Sequence, residues 1–146
     1  MLEFELSTEP SAQDVETVRR GLDTFGKKTF PHLPGVEEDV EFGIFARNSS
    51  GEIVGGLTGS AYWNAVHIEV LWVSEDVRGQ DIGSDLLVRT EALARSRGFN
   101  IAYLDTSQAR EFYEKNGYSV FGQIDDQPPG HTLYFMQKRL KEHDDV

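Results

Sequence analysis

Residues 78–84 read RGQDIGS, and their types and spacing are the clearest indication of chemistry in this chain. They follow an apolar run at 68–73 that predicts a strand, and they open an apolar pattern at 82–97 that predicts a helix. The first turn of a helix has backbone N–H groups without partners in the helix, and the helix dipole adds about half a positive charge there. Because glycine lets such a backbone approach a phosphate closely, this segment predicts a site for an anion.

Two common phosphate-binding loops do not match this segment. A P-loop would place a lysine between glycine and serine at the helix start, whereas Gly83 is followed directly by Ser84. A dinucleotide fingerprint needs three spaced glycines, and the segment has only Gly79 and Gly83. It resembles instead the pyrophosphate loop of the GNAT superfamily of N-acetyltransferases, whose pattern is Arg/Gln-x-x-Gly-x-Gly/Ala. That resemblance implies acetyl-CoA as the co-substrate.

The order of the parts around the loop extends the resemblance to roughly residues 40–140. A strand pattern at 101–106 follows the helix, and residues 109–118 resemble the superfamily's Ala-x-x-Phe-Tyr-x-x-x-Gly-Phe/Tyr segment. A hairpin pattern precedes the loop, with strands predicted at 40–47 and 52–63. The resemblance implies an α/β (α+β) fold, in which a central mixed, mostly antiparallel sheet is splayed at the acetyl-CoA site and flanked by helices.

Asp81 stands where the superfamily pattern has its first glycine. Aspartate is a favoured N-cap residue, so we expect its side chain to occupy a backbone N–H that a phosphate would otherwise use. Its charge also lies near the diphosphate, and either effect predicts CoA binding weakened by about 1 kcal/mol. The junction at 105–109 is shorter than in many relatives, which predicts a shift of the helix that follows.

Tyr113 is the residue that the resemblance assigns to the leaving group. Moving an acetyl group from a thioester to an amine requires that the amine lose a proton, the oxyanion be stabilised and the thiolate be protonated. Tyr113 matches the tyrosine that donates to the thiolate in many GNAT enzymes, so the resemblance implies that it acts as the acid or positions the thiol. The alternative is a packed tyrosine with a satisfied hydroxyl. We expect Phe112 and Tyr118 to lie in the core.

Glu69 and His67 are the candidates for removing the proton of the amine. They lie two residues apart on the predicted strand and therefore face the same way, unless a β-bulge intervenes. A desolvated glutamate is a good base at neutral pH, and a histidine titrates near neutrality without any shift. We expect Glu69 ahead of His67 in this role. The alternative is a cross-strand pair for the glutamate and a satisfied strand histidine.

The main chain at 71–73 should run beside the pantetheine arm, as the resemblance implies. The N–H of Val73 or of a neighbour would then polarise the thioester carbonyl, whereas the Trp72 side chain alternates away from Leu71 and is expected in the core. Arg78 is expected to meet a CoA phosphate, with a solvated loop arginine as the alternative. The predicted cofactor-binding residues are Leu71, Trp72, Val73, Arg78, Gly79, Gln80, Asp81, Ile82, Gly83 and Ser84.

The resemblance places the acceptor between the segment after the first helix and the last hairpin. Acidic runs at 37–41 and 125–126 would attract a cationic amine there, and a solvated charged surface explains them equally well. His32 and His143 lack the spacing of metal ligands, so no metal site is predicted. The predicted acceptor-binding residues are Glu38, Tyr62 and His131.

A formal net charge of −11 limits the partners of this chain. It argues against nucleic acid and anionic membranes, which need basic patches, and it favours a cationic partner or simply solubility. No apolar run reaches membrane length, no secretory signal is visible at the start, and cysteine is absent. These features predict a cytoplasmic protein, for which a homodimer is one assembly to consider.

The length predicts a single domain over residues 1–146. Residues 1–40 would supply a strand at 2–6, a helix and the acceptor-side loop, residues 66–117 the CoA-binding core, and residues 141–146 a frayed tail. The predicted function is direct transfer of acetyl from acetyl-CoA to a primary amine of a small cationic molecule or a lysine. The alternative is a non-catalytic acyl-CoA-binding sensor or interaction protein on the same fold.

Overall fold

The structure is a computed structural model that describes residues 1–35 and 38–140. The chain divides into two compact units, residues 1–38 and 39–146, and each is described by itself. The expectation of one domain stays a prediction, and the expected tail at 141–146 lies outside the described residues. Within the described ranges, no helix combines the length and the apolar character that crossing a membrane requires.

The first unit is built around helix α1, Ala12–Thr29. Ser11 caps this helix, because its Oγ accepts a hydrogen bond from the Asp14 N–H at 3.1 Å. Residues 2–6 form no strand, so the predicted first strand is wrong. The alternation of apolar and acidic residues determines which side chains would share one face of a strand. A strand forms only where its backbone groups find hydrogen-bond partners, and no strand of the described residues pairs with this segment.

The second unit is a six-stranded sheet with two α-helices. Its strands are β1 (Val40–Arg47), β2 (Ile53–Tyr62), β3 (Ala65–Val73), β4 (Ile101–Thr106), β5 (Ser119–Asp125) and β6 (Thr132–Arg139), in the spatial order β1-β2-β3-β4-β6-β5. Neighbouring strands are antiparallel except β3 and β4. Helix α2 (Ile82–Ser96) connects these two parallel strands, and helix α3 (Arg110–Lys115) connects β4 to β5. The mixed, mostly antiparallel α/β fold is therefore confirmed.

The core of this unit lies between the sheet and α2. Leu57, Leu104 and Met136 of the strands are almost fully buried in one cluster with Leu86 and Leu87 of α2. Burying such a side chain contributes about 1.5–3 kcal/mol, so this cluster decides which face of the sheet carries the helix. Alternate strand residues point to the opposite face, which we call the outer face.

Strands β3 and β4 separate soon after they begin to pair. Residues 65–67 of β3 pair with residues 101–103 of β4, and the two strands form no further pairs with each other. β4 continues along β6, while β3 continues along β2. The two strands therefore enclose an open wedge, bounded by residues 68–73 and residues 104–106, which we call the gap.

A β-bulge lies in β3 at the start of the gap. Thr58 pairs with Val70 and Gly59 pairs with Ile68, so Glu69 is the extra residue between them. Gly59 fits opposite the bulge because it has no side chain. A Cβ at this position would overlap the carbonyl oxygen of His67.

Gly59→Ala is therefore expected to destabilise the protein by about 1–3 kcal/mol, the usual cost of overpacking. The backbone of β3 would have to move, since the carbonyl group that the new methyl meets cannot rotate away. Urea unfolding measures this change. The matched control is Gly122→Ala in β5, where an added Cβ meets nothing within 4 Å. Equal unfolding midpoints for the two variants would contradict the expectation.

Candidate functional site

A cavity of about 570 Å³ opens at the gap. Its wall is formed by the end of β3, the loop and first turn of α2, and one side of α3. Small-molecule sites typically have volumes of about 300–1,000 Å³. The lining residues are Leu71, Val73, Val77, Arg78, Gly79, Asp81, Ile82, Gly83, Ser84, Ala109, Phe112, Lys115 and Asn116.

Most of the residues predicted to bind the cofactor lie in this wall, and Trp72 and Gln80 do not. Leu71 and Val73 pack against the core, so Trp72 between them projects from the outer face. The Trp72 side chain is 50% exposed, and the expectation that it lies in the core is wrong. Gln80 is an exposed loop residue.

The backbone of β3 directs hydrogen-bonding groups into the gap. In an antiparallel ladder, successive residues direct their N–H and C=O groups to alternate sides. The Ser74 N–H donates to a β2 carbonyl at 2.8 Å, which places Ser74 and Trp72 on the β2 side. Leu71 and Val73 therefore direct their groups to the gap, where the Val73 carbonyl accepts a hydrogen bond from the Arg78 Nε at 3.3 Å. The two N–H groups are candidate donors to a ligand.

Asp81 immediately precedes α2 and does not cap it with its side chain. The predicted side-chain cap is therefore wrong. A capping side chain reaches the first-turn N–H groups from an extended backbone, whereas Asp81 is left-handed, with φ 59° and ψ 27°. Its carbonyl oxygen accepts the Asp85 N–H at 3.0 Å, and its side chain leaves the first-turn N–H groups unused.

This left-handed conformation gives a physical reason for the glycine in the superfamily pattern. Glycine adopts a positive φ without a steric cost, as Gly79 does at φ 87°. Aspartate adopts it at a modest cost, because its short polar side chain is among those that the region tolerates. Asp81 therefore keeps the course of the loop and brings a negatively charged residue to the cavity wall.

Helix α3 contributes lining residues that the sequence had not assigned to the site. Phe112, Lys115 and Asn116 follow at helical spacing and so share one side of α3. The Phe112 ring packs on the core, as predicted, and also closes the wall against Gly83, where an added Cβ would lie 3.0 Å from the ring. Lys115 is the second positively charged lining residue besides Arg78. It lies within the 109–118 segment that resembles the superfamily, and this position could have indicated that it belongs to the site.

Tyr113 lies in the core beside the cavity wall. Its side chain is 6% exposed, and its ring meets Phe112 and Tyr118 edge-on, with centroid distances of 5.1 and 5.8 Å. Burial raises the pKa of the Tyr113 hydroxyl to about 12. The hydroxyl therefore keeps its proton at neutral pH and is a donor. Tyr118 is buried in the core, as predicted.

The apex of the gap carries a group of polar and aromatic side chains, Tyr62, His67, Glu69 and Tyr103, which we call the apex cluster. The His67 and Tyr103 rings stack with centroids 4.6 Å apart and planes 5° apart. Burial, a hydrogen bond with Tyr62 and the charges of Tyr62 and Glu69 all raise the pKa of Tyr103. The structure thus groups both candidate bases around Tyr103. The β-bulge at Glu69 is the exception that the simple two-residue spacing of Glu69 and His67 had to allow for.

The acceptor-binding residues predicted from the sequence do not form one group. Tyr62 belongs to the apex cluster, while His131 is exposed in the β5–β6 turn, where its N–H donates to the Pro128 carbonyl at 2.8 Å. Because Gln137 pairs with Tyr103, His131 lies about 20 Å further along β6 at the usual rise per residue. Glu38 is exposed in the first unit.

The acidic run at 125–126 lies wholly within the described residues, and the run at 37–41 does so only in part. Asp125 accepts hydrogen bonds from Thr132 and Gln123, and the Asp126 carboxylate accepts the Gly130 N–H at 2.9 Å. These two carboxylates therefore hold the β5–β6 turn. Residue 37 of the other run lies outside the described residues.

Comparison with known proteins decides the family. The sequence pattern of the Acetyltransferase (GNAT) family matches residues 9–118. The chain belongs to this family. A blasticidin-S acetyltransferase of Streptomyces morookaense is 37% identical over 103 residues, which cover 68% of this chain and 75% of that protein. An acetyltransferase structure from Bacillus cereus is 32% identical, with a TM-score of 0.79 and coverage of 93% of this chain and 98% of that one.

A further solved structure shares the GNAT fold. An aminoglycoside 6′-N-acetyltransferase complexed with coenzyme A has a TM-score of 0.64 at 20% identity, with coverage of 94% of this chain and 98% of that one. The resemblance and the enzyme class predicted from the loop and the 109–118 segment are confirmed, and this GNAT protein is an acetyl-CoA-dependent N-acetyltransferase. The roles of its individual residues and the identity of its acceptor remain predictions.

Proposed function

We propose that this GNAT protein transfers acetyl from acetyl-CoA to a primary amine of a small cationic acceptor or of a lysine. The observation that carries the proposal is that the backbone N–H groups of Leu71 and Val73 face the gap beside the loop. The net charge of −11 supports a cationic acceptor. The name of the blasticidin-S relative supports a small molecule ahead of a protein lysine.

The lining of the cavity fits acetyl-CoA in kind. The first-turn N–H groups of α2 suit a diphosphate, and the side chains of Arg78 and Lys115 supply counter-charges for phosphates. The N–H groups of Leu71 and Val73 suit the amide and thioester carbonyls of an extended arm. The main chain thereby holds the substrate and polarises its carbonyl.

The proton transfers would use residues on the two sides of the gap. On the outer face, Glu69 would take the proton of the acceptor amine, with His67 as the other candidate. On the core side, the Tyr113 hydroxyl would donate a hydrogen bond to the departing sulfur. The gap is what would let groups on opposite sides of the sheet act on one reaction centre.

The non-catalytic acyl-CoA-binding protein considered from the sequence disagrees with this enzyme class, although Asp81 in the cavity wall and the burial of Tyr113 are the features that would suit it. The acceptor is the part of the proposal that needs a test. Calorimetric titration of CoA and acetyl-CoA, followed by an amine screen with polyamines, aminoglycosides and lysine peptides, supplies it. CoA binding with turnover of any of these amines supports the proposal, and absence of CoA binding contradicts it.

Asp81→Asn is expected to tighten CoA binding about three- to tenfold, because it removes a negative charge from the cavity wall while asparagine tolerates the left-handed backbone. Asp81→Gly removes the same charge and the backbone cost, so it should bind at least as tightly. Calorimetry at low and high salt measures both, and the gain should shrink at high salt.

The control for this prediction is Asp85→Asn. It makes the same change in net charge one turn further along α2, at a residue that is paired with Arg89 at 2.9 Å and lies outside the cavity wall. If affinity rises equally in the control, overall charge rather than Asp81 limits binding. Unchanged affinity in both Asp81 variants would contradict the role given to its carboxylate.

A further inference from the structure

A buried carboxylate on α2 lies behind the cavity. The Glu91 side chain is 4% exposed, and both of its oxygens are used. One accepts a hydrogen bond from the Lys138 Nζ at 2.8 Å, and the other accepts the Tyr118 hydroxyl at 3.0 Å. Because the bonds leave in different directions, they fix the carboxylate relative to both β6 and the segment after α3.

The ammonium group of Lys138 holds the end of α3. It donates to the Asn116 carbonyl at 3.0 Å, just past the last residue of the helix. The Asn116 side-chain amide in turn donates to the Phe112 carbonyl at 2.9 Å. The chain turns at Gly117, with φ 94°, and an added Cβ there would lie 3.1 Å from the Lys138 side chain. A cation at the carboxyl end of a helix is also favoured by its dipole.

These bonds join two walls of the same cavity. α2 begins with the lining residues Ile82 and Gly83, while α3 and its C-cap supply Phe112, Lys115 and Asn116. α3 has only six residues, and so short a helix has little stability of its own. Its position against α2 must therefore come from tertiary contacts, among which the Glu91–Lys138 pair is directional and joins a buried carboxylate to an ammonium side chain that is 26% exposed.

A buried ion pair is an inefficient way to gain stability. Apolar residues of similar size often replace such a pair without loss, whereas removal of one partner leaves a buried charge and is strongly destabilising. Hydrogen bonds have a preferred direction, which apolar packing lacks. The bonds of Lys138 to Glu91 and to the Asn116 carbonyl therefore define where the end of α3 lies. This difference separates a positioning role from a stabilising one.

We propose that Glu91 and Lys138 are positioning residues that set the α3 wall of the cavity and thereby the affinity for CoA. The proposal rests on the proposed function, because it assumes that the cavity binds CoA. It predicts that affinity and stability can be separated by substitution, which a purely structural pair does not allow.

The test compares Glu91→Leu, Lys138→Met and the double variant by urea unfolding and by CoA calorimetry. Each single variant should lose stability and affinity. The double variant has no unpaired buried charge and should recover part of the stability, less the cost of leaving the buried Tyr118 hydroxyl without its acceptor. It should still bind CoA about tenfold more weakly than the parent. Recovery of both would overturn the proposal, because the pair would then only stabilise. If the parent binds no CoA, the proposed function itself fails.

Two further variants complete the test. Asp85→Leu/Arg89→Met removes an exposed pair, 2.9 Å apart on α2 and outside the cavity wall, and should leave CoA affinity within twofold of the parent. Lys138→Arg keeps the charge and moves the hydrogen-bond donors. If the double variant does not fold, this variant tests the positioning role instead. A threefold or larger loss of affinity at an unchanged unfolding midpoint supports the proposal, and unchanged affinity overturns it.

Discussion

Tyr113→Phe is expected to lower kcat by about 10²–10⁴ and to leave the Kd for CoA within twofold of the parent. The ring stays packed between Phe112 and Tyr118, so the wall of the cavity keeps its shape. Only the hydroxyl is lost, and with it the hydrogen bond to the departing sulfur. Steady-state kinetics with the best acceptor and calorimetry with CoA measure the two quantities.

The control is Tyr134→Phe, which removes a hydroxyl that bonds to Arg110 and lies outside the cavity wall. This variant should keep the kcat of the parent. If Tyr113→Phe also keeps it, Tyr113 is a packing residue and another group or water protonates the departing sulfur. A loss confined to CoA affinity would instead indicate that the substitution disturbs the wall.

The pH dependence follows from the raised pKa of Tyr113, about 12. The hydroxyl is protonated below that pH, so it should produce no alkaline limb in kcat below a pH of about 11. In the unfolded chain a tyrosine ionises near pH 10. The folded state is therefore favoured fully below pH 10 and loses about 2–3 kcal/mol between pH 10 and 12. Tyr113→Phe should lack this part of the loss when unfolding is measured from pH 8 to 12.

Glu69→Gln is expected to lower kcat/KM by about 10²–10⁴, and more than His67→Gln. Glu69 is exposed at the bulge beside the gap, where an acceptor can reach it, whereas the His67 ring lies against the face of Tyr103. A larger loss of kcat/KM in His67→Gln would assign the role to the histidine.

The matched control is Glu41→Gln. Glu41 and Glu69 line the same groove on the outer face with Phe45 and Thr58, so the two substitutions change the local charge equally. A general effect of charge on a cationic acceptor should appear in KM for both variants. A fall in kcat should appear for Glu69→Gln alone.

The parts that the sequence predicted correctly are those defined by local patterns. The loop at 78–84 and the segment at 109–118 are continuous in sequence, so their places in the order of strands and helices can be read from their residue types, although the backbone angles of Asp81 cannot. The gap followed from the family resemblance, and the register of β3 and β4 agrees with it. Most of the loop residues that line the cavity were therefore predictable, while their roles stay predictions.

The errors arose where a partner or a backbone angle decides the outcome. The alternation at 2–6 contains no information on whether a neighbouring strand exists. Asp81 is a good cap only in an extended backbone, and nothing in its residue type indicates the left-handed φ that it adopts. The bond between Glu91 and Lys138 joins residues far apart in the chain, and without an alignment no pattern links them.

The gap makes the contacts of β3 with a ligand a property of the main chain, and this bears on how such a protein can evolve. Any residue except proline at positions 71 and 73 supplies the same N–H and C=O groups. Substitutions at 71 and 73 change how the side chains fit the ligand but do not remove an N–H donor. Gly59, in contrast, does not tolerate a side chain. Side chains around Glu69 and Tyr62 are not under this constraint, so that part of the gap can change while the main-chain groups at 71 and 73 are inherited with the backbone.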